Sequence, residues 1–566
     1  MTPGSASRKK IAILGGGMGG MSAAYWLTNR PGWQEDYEIT LYQMGWRLGG
    51  KGATGRNPEM FQRIEEHGFH FFPGFYENTF AMMRQCYEEL GRGSEAPLSE
   101  FIAPTQADEH RYPDRYAMHR FNFGGMQEPF NGQWYKFSLY LPENDALPGS
   151  GVEHPTAWEY IQMGIDWMWT IYQNSAYWTE PGSPDNGKKE AWWDELSFIL
   201  DLFVLEAVPL FPSNHLYAAK HIIDRLPTDG ESHASRQYLP AYEFIIRRLR
   251  SHQKKLWNQV KDEVVTNFRA YSAWTLQDFV ATTLIGMLHD EVMLLGFDVV
   301  NDLDFSAWML RHATIPEGTA ITIRTPMVRF VYDAGFSVLE RDGRIVSEIE
   351  AGTALRIGMR MFVYYTGSVF WMFQAGCGET IFAPLYQVLK RRGVKFEFFH
   401  KVINLHTNHD TGNDTITELE IQQQAHLKVG EYDPLVMIKG LPCWSSEPAY
   451  EQLVEGDILR ERQINLESNW SDWQGVGTKH LKRGEDFDDV ILAIPLAGLP
   501  QIFPDCFKKS SWQMMHEKLM TTRTQSIQLY TNKTQSQMGW TLDRPLLELD
   551  NEPISTWADM TPQRRR

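Results

Sequence analysis

The chain has 566 residues, 43% hydrophobic and 22% charged, which is globular composition with room for a large core and a deep cleft without disulfides. Its formal net charge of −17 argues against nucleic acid and against simple electrostatic attachment to anionic lipid, because both need a basic surface. Cys86, Cys377, Cys443 and Cys506 are far apart and form no CxxC pair. That disfavours a metal site or a disulfide framework and fits a reducing compartment.

At the N-terminus, Arg8, Lys9 and Lys10 precede an uncharged run from Ile11 to Thr28 that superficially resembles an export signal. Gly15, Gly16, Gly17, Gly19 and Gly20 break the run, so the reading is instead a short buried strand at Lys10–Leu14, a glycine turn and a helix over Met18–Asn29. A second strand is expected at Glu38–Tyr42. Strand, glycine turn, helix, strand is the opening of a doubly wound α/β domain.

From Phe101 to Asn301 the chain is rich in aromatics (Trp158, Trp167, Trp169, Trp178, Trp192, Trp193) and reads as a helical insertion. These tryptophans could line an apolar tunnel or dip into a membrane surface, although core packing is the default. Arg329 and Asp333 could face substrate, yet their spacing of four suits an ion pair along a helix. Later, Thr380–Lys390 reads as a helix stopped by Gly393, followed by a strand at Lys395–Phe399; Asp489–Ile494 is another strand, ended by Pro495. The expected fold class is therefore α/β, with a discontinuous Rossmann-like domain, an α+β substrate domain and the aromatic insertion. The segments are 1–100, 375–425 and 475–500 for the nucleotide domain, 101–301 for the insertion, and 302–374 and 501–566 for the substrate domain. No stretch is long and apolar enough to span a bilayer. A cytoplasmic protein, with peripheral membrane contact admitted, is the expectation.

Gly15-Gly16-Gly17-Met18-Gly19-Gly20 satisfies GxGxxG between a strand and a helix. Gly15 suits the tight turn, Gly17 the close approach of a pyrophosphate, and Gly20 the packing of helix on strand. The phosphates would lie on free N–H groups at the helix N-terminus. Gln43 stands about where an acidic residue normally takes the ribose hydroxyls; it can hydrogen-bond a hydroxyl only as a neutral group. Arg47-Leu48-Gly49-Gly50-Lys51-Gly52 nearly spells a Walker A loop with Gly45, but Gly52 replaces the magnesium-binding Ser or Thr. It reads better as a second phosphate-contacting loop, or otherwise as a surface turn.

The RxGGK segment is similar to that of FAD flavoproteins of the amine-oxidase and carotenoid-desaturase superfamily. Glu66-His67-Gly68-Phe69-His70-Phe71-Phe72-Pro73-Gly74-Phe75-Tyr76-Glu77-Asn78 resembles the plant and cyanobacterial type of phytoene desaturase in particular. The resemblance implies FAD as cofactor, with Gly68 and His70 close to the flavin ring and the backbone at Val402-Ile403 receiving the adenine. Asp488–Pro495 resembles the strand returning to the FAD domain, and Trp557-Ala558-Asp559-Met560 a late segment of the substrate domain. The expected cofactor-binding set is Gly15, Gly17, Gly20, Gln43, Arg47, Gly49, Gly50, Lys51, Gly68, His70 and Val402.

The family closes with a Gly-Asp pair and a glycine- and alanine-rich helix, and no such motif stands before Arg566. A second polypeptide completing the flavin site, or a truncated form, would account for that. By the resemblance, flavin N5 accepts a hydride from a hydrophobic, carotenoid- or isoprenoid-like substrate. An amine or amino-acid oxidase, or a flavin-poor binding subunit, are the alternatives. No triad motif, HExxH or metal-ligand set stands in the sequence, and no catalytic residue is assigned. His67 and His70 could serve proton transfer or simply pack with Phe69, Phe71 and Phe72.

Overall fold

The structure, a computed structural model, describes residues 8–91, 118–122, 125–137, 141, 143–151, 239–341, 344–408, 415–508, 510–519, 521–522, 524–539, 547–551 and 554–560. Ile11 to Leu14 form an unbroken buried run, the pattern of a parallel strand covered on both faces. Accordingly β1 (Lys9–Leu14) is an inner strand of a four-stranded parallel sheet. The order is Lys395–Glu397, β2 (Tyr37–Tyr42), β1, then Asp489–Leu492. In register, Ile13 pairs with Leu41 on one side and with Ile491 on the other. The nucleotide-binding sheet is thus assembled from three widely separated stretches of chain.

Between its first two strands runs α1 (Met18–Leu27), whose Met21, Ala24 and Tyr25 are buried against the sheet. The helix Ala383–Arg392 leads into the strand Lys395–Glu397 and stops at Gly393, which takes a left-handed φ of 97°. Its α-helical part begins three residues later than the sequence suggested. Gly378–Phe382 is a wider π-helical turn, with Pro384 placed where a helix start tolerates it. The following strand stops at Glu397 rather than Phe399, because Phe399 turns back with φ 61°. The returning strand ends at Leu492 rather than Ile494.

Among the described residues, three further sheets have three or more strands. Phe370–Phe373 lies between Phe71–Pro73 and Met118–Phe121; Thr415–Gln423 lies between His400–Asn408 and Gly477–Lys482. The third runs Ile554–Ala558, Leu547–Asn551, Gly125–Phe130, Gln133–Phe137. Among the described residues of the expected helical insertion, strands come first, and helices follow at Leu239–Val260, Phe268–His289 and Val292–Leu295. The reason is local: Asn131 and Gly132, with φ of 51° and 79°, make the turn of a hairpin between Gly125–Phe130 and Gln133–Phe137. Trp158, Trp167, Trp169, Trp178, Trp192 and Trp193 lie outside the described residues. Arg329 and Asp333 both stand on the helix Pro326–Ala334. No helix among the described residues is long and apolar enough to cross a membrane.

Candidate dinucleotide site

The glycine turn sits at the C-terminal ends of the parallel strands, where open α/β sheets bind ligands. Gly15 takes φ 109°, and a Cβ there would stand 2.5 Å from the carbonyl oxygen of Ala493, just past the returning strand. At Gly20 a Cβ would stand 2.0 Å from Gly15 O and 3.2 Å from Ile13 Cγ2, so α1 lies against β1 as only glycine permits. Gly17 and Gly19 face open space: nothing comes nearer than 3.9 Å to a Cβ at the first, and nothing within 4 Å at the second. Gly17 is also the N-cap of α1, whose first turn carries neither a side-chain cap nor an acidic residue. Its N–H groups are left for an anion.

Gln43 belongs to this turn. Its side-chain Oε1 accepts the Gly16 N–H at 2.9 Å, while Gly15 N–H donates to Tyr42 O at 3.0 Å. The side-chain oxygen thus holds the turn, and the amide nitrogen is the group that remains for a hydroxyl.

The second loop docks on the first through backbone. Gly17 and Gly49 form a parallel bridge, and Gly49 N–H donates to Gly16 O at 2.9 Å. Gly49 and Gly50 have φ of 121° and 55°, and a Cβ on Gly49 would stand 2.8 Å from Ala53 backbone. The loop then tightens into one 3₁₀ turn, with Lys51 exposed. Arg47 does not point a free charge at the cradle. Its guanidinium makes a two-pronged ion pair with Glu467, at 2.8 to 3.1 Å, and lies over the Trp46 ring. A tether that clamps the loop is the part the geometry gives it.

Behind the loop stands a buried polar cluster that sequence reasoning missed. Glu66 Oε1 accepts from Thr54 Oγ1 at 2.7 Å and from Cys377 N–H at 2.6 Å. Thr54 Oγ1 accepts in turn from Gly378 N–H at 2.7 Å. Arg56 and Glu379, 4% and 0% exposed in their side chains, form a two-pronged pair in which Arg56 Nη2 lies 2.7 Å from Glu379 Oε2. Glu379 also accepts the Gly376 N–H at 2.9 Å. Burial opposes the Arg56 charge, but the Glu379 carboxylate outweighs it and raises the arginine pKa. Cys377 beside it is buried, and burial with the two carboxylates pushes its thiol pKa well up, leaving it inert. Gly376-Cys377-Gly378 was the available sequence signal, a glycine pair that lets the chain close on Thr54; the Arg56–Glu379 pairing, 323 residues apart, had none.

His70 joins the loop to the cluster. Its Nε2 lies 2.9 Å from Lys51 O, and its Nδ1 faces Glu66 Oε2 at 3.5 Å, an ion-pair separation rather than a hydrogen bond. Burial would lower the His70 pKa, yet the Glu66 carboxylate and the Lys51 carbonyl raise it above the ordinary histidine value. His67 is pushed down, by burial first and by its neighbour His70 next. Their rings stand edge to face, with centroids 5.5 Å apart. Gly68 has open space where a Cβ would be.

Beyond His70 the packing turns apolar. The partly buried Phe69 and Phe71 pack on the buried Phe121 and Phe370, with centroids 4.6 to 6.1 Å apart, and Ala558 and Met560 join the same cluster. Val402 is buried beside Leu14 and Ile421 under the end of β1, on a strand whose register shifts between Val402 and Asn404. That bulge leaves Ile403 out of the ladder.

Parallel sheet, paired glycine turns and an uncapped helix N-terminus define a Rossmann-type dinucleotide-binding domain. Residues 13–86 match the model of the NAD(P)-binding Rossmann-like domain. Residues 374–491, which include Cys377, Glu379 and Val402, are similar to the MCRA family. No curated protein matches the chain. Among solved structures, a protein of Exiguobacterium sp. 255-15 provisionally named protoporphyrinogen oxidase is 16% identical over 89% of this chain and 62% of its own, with a TM-score of 0.29. An oxidoreductase from Methanosarcina mazei is 11% identical over 74% of this chain and 56% of its own, with a TM-score of 0.28. The chain thus spans less than two thirds of either structure, and at these TM-scores neither superposition bears on activity.

Proposed function

We propose that the chain is an FAD-dependent oxidoreductase that removes hydride from a hydrophobic, isoprenoid-like substrate. The observation that carries this reading is the pair of glycine turns bridged at Gly17 and Gly49 over the N-terminus of α1. Gly15, Gly17, Gly20, Gly49 and Gly50 would hold the pyrophosphate through main chain, because side chains are sterically excluded from most of these positions. Gln43 would offer its amide nitrogen to the ribose, and the bulged backbone at Val402-Ile403 would receive the adenine. The open Gly68 and the neighbouring His70 would stand at the flavin end. Bound FAD would supply two-electron acceptance; the protein positions substrate and tunes charge.

The apolar cluster beside His70, of which Phe69 and Phe71 are only partly buried, supports an apolar substrate. His70 contributes a proton that the Glu66 carboxylate and the Lys51 carbonyl hold, its pKa raised above the ordinary histidine value. Lys51, exposed on the second loop, adds positive charge beside the phosphates.

The visible spectrum of the purified chain, alone and after addition of FAD and gel filtration, tests the cofactor. Flavin bands that travel with the wild-type protein and are lost in Gly17→Val are the expected result. A protein that stays colourless at saturating FAD overturns the reading. Anaerobic bleaching of the bound flavin by a polyene tests the substrate class. Bleaching by an amine instead, with peroxide released in air, would replace desaturation with amine oxidation.

A further inference from the structure

Away from the glycine cradle, two helices end on histidines that meet. The helix Phe268–His289 stops at His289, and the helix Phe305–His312 stops at His312. Asp290, the residue that follows the first helix, lies between them: His289 Nδ1 is 2.9 Å from its Oδ1 and His312 Nε2 is 2.8 Å from its Oδ2. One ligand atom from each residue falls within 4.8 Å of the other two. The His312 and Asp290 side chains are 3% and 10% exposed, whereas His289 is 54% exposed and faces solvent.

The surroundings hold this arrangement in place. A Cβ on Gly286 would stand 2.4 Å from the Trp308 ring and 3.0 Å from His312 Cδ2, so glycine lets the second helix close on the first. Trp308 Nε1 then donates to Asp290 Oδ2 at 2.8 Å and orients the carboxylate, as partners behind metal-binding carboxylates do. Two helix C-termini converge here, and their carbonyl ends favour positive charge. Arg311 supplies some at the rim, its Nη2 3.7 Å from Asp290 Oδ1.

We propose that His289, Asp290 and His312 form a site for a divalent transition-metal ion of the zinc type. Two imidazole nitrogens and one carboxylate oxygen are the ligand chemistry such ions take, at about 2.0–2.2 Å from each donor. The ion replaces the protons that the histidines now share with Asp290. The exposed His289 swings by the small amount needed, and the open coordination position faces solvent beside it. Bound there, the ion ties the last turns of the two helices together.

The test uses the whole chain, made without a histidine tag, stripped with chelator, equilibrated with Zn²⁺ or Co²⁺ alone and desalted. One equivalent of metal, with visible Co²⁺ bands of a nitrogen- and oxygen-ligated ion, is expected for the wild type. Because His289 is exposed, His289→Ala should keep the wild-type circular dichroism while its Zn²⁺ affinity falls by 10-fold or more. Trp308→Phe, which removes only the donor behind Asp290, should lose about 10- to 100-fold. Zn²⁺ should raise the unfolding midpoint of the wild type and not that of His289→Ala. A wild type that retains no stoichiometric metal, or a His289→Ala and an Asp290→Asn that bind as the wild type does, would overturn the proposal.

Discussion

Adjacent glycines in α1 should respond in opposite directions to the same methyl group. In Gly20→Ala the new carbon would stand 2.0 Å from Gly15 O, where contacts under 3.0 Å essentially never occur. Gly15 cannot yield, since its own turn is pinned by Tyr42 and packed on Ala493. The helix must therefore retreat from β1 by about 1 Å, an overpacking cost of roughly 1–3 kcal/mol. Gly19→Ala meets nothing within 4 Å and keeps an ordinary helical backbone. It should gain roughly 0.4–1 kcal/mol by restricting the unfolded chain. At roughly 2–4 °C per kcal/mol for a mid-sized domain, the two variants should melt on either side of the wild type. Thermal unfolding followed by circular dichroism without FAD reads this directly, and FAD titration should then show weaker binding for Gly20→Ala. A Gly20→Ala that melts with the wild type, or two variants that fall by the same amount, would refute the close-approach account of the motif.

Breaking the buried pair with Arg56→Met strands the Glu379 carboxylate and should cost about 3–5 kcal/mol in urea unfolding, much of it recovered when Glu379→Met is added. Gly49→Ala forces a side chain into φ 121° with its Cβ 2.8 Å from Ala53 backbone; circular dichroism should be unchanged while FAD affinity drops about 10-fold, a loss of ~1.4 kcal/mol. Because the His70 pKa is raised in the folded protein, its stabilisation is complete below the unfolded value near 6.5 and is lost as pH rises through the folded value. The unfolding midpoint of the wild type should thus fall across that interval relative to His70→Gln. Glu66→Gln removes the carboxylate that holds the proton, so the His70 titration followed by NMR should move down toward 6.5.

The opening strand, glycine turn and helix were legible because every requirement there is local: an apolar run, glycines at fixed spacing, a second apolar run. The return of Asp489–Leu492 to the same sheet was legible for the same reason, an apolar run after Asp489, although the strand itself ends at Leu492, before Pro495. Partnerships were not. Arg47 reads as a phosphate ligand until Glu467, 420 residues away, is found holding it. Thr54, Arg56 and Glu379 look like ordinary surface residues in sequence, and only the fold shows that burial forces them to satisfy one another. The strands at Met118–Phe137 were missed although Asn131-Gly132 is the strongest short hairpin signal a sequence can carry. The aromatic density of the surrounding stretch masks that signal.

Synthesis imposes a timetable on the parallel sheet. β1 can pair with β2 almost as soon as both leave the ribosome, but the Lys10 N–H waits for Asp488, 478 residues downstream. At about 5–20 residues per second that interval is roughly half a minute to a minute and a half. Throughout it, one edge of β1 is an unpaired row of donors and acceptors on a strand with four consecutive buried positions. The glycine turn that β1 leads into cannot reach its final form earlier, because Gly15 is packed on Ala493. The nascent chain therefore carries an adhesive edge for most of its synthesis, and its yield in a cell should depend on how long chaperones keep that edge from meeting another copy.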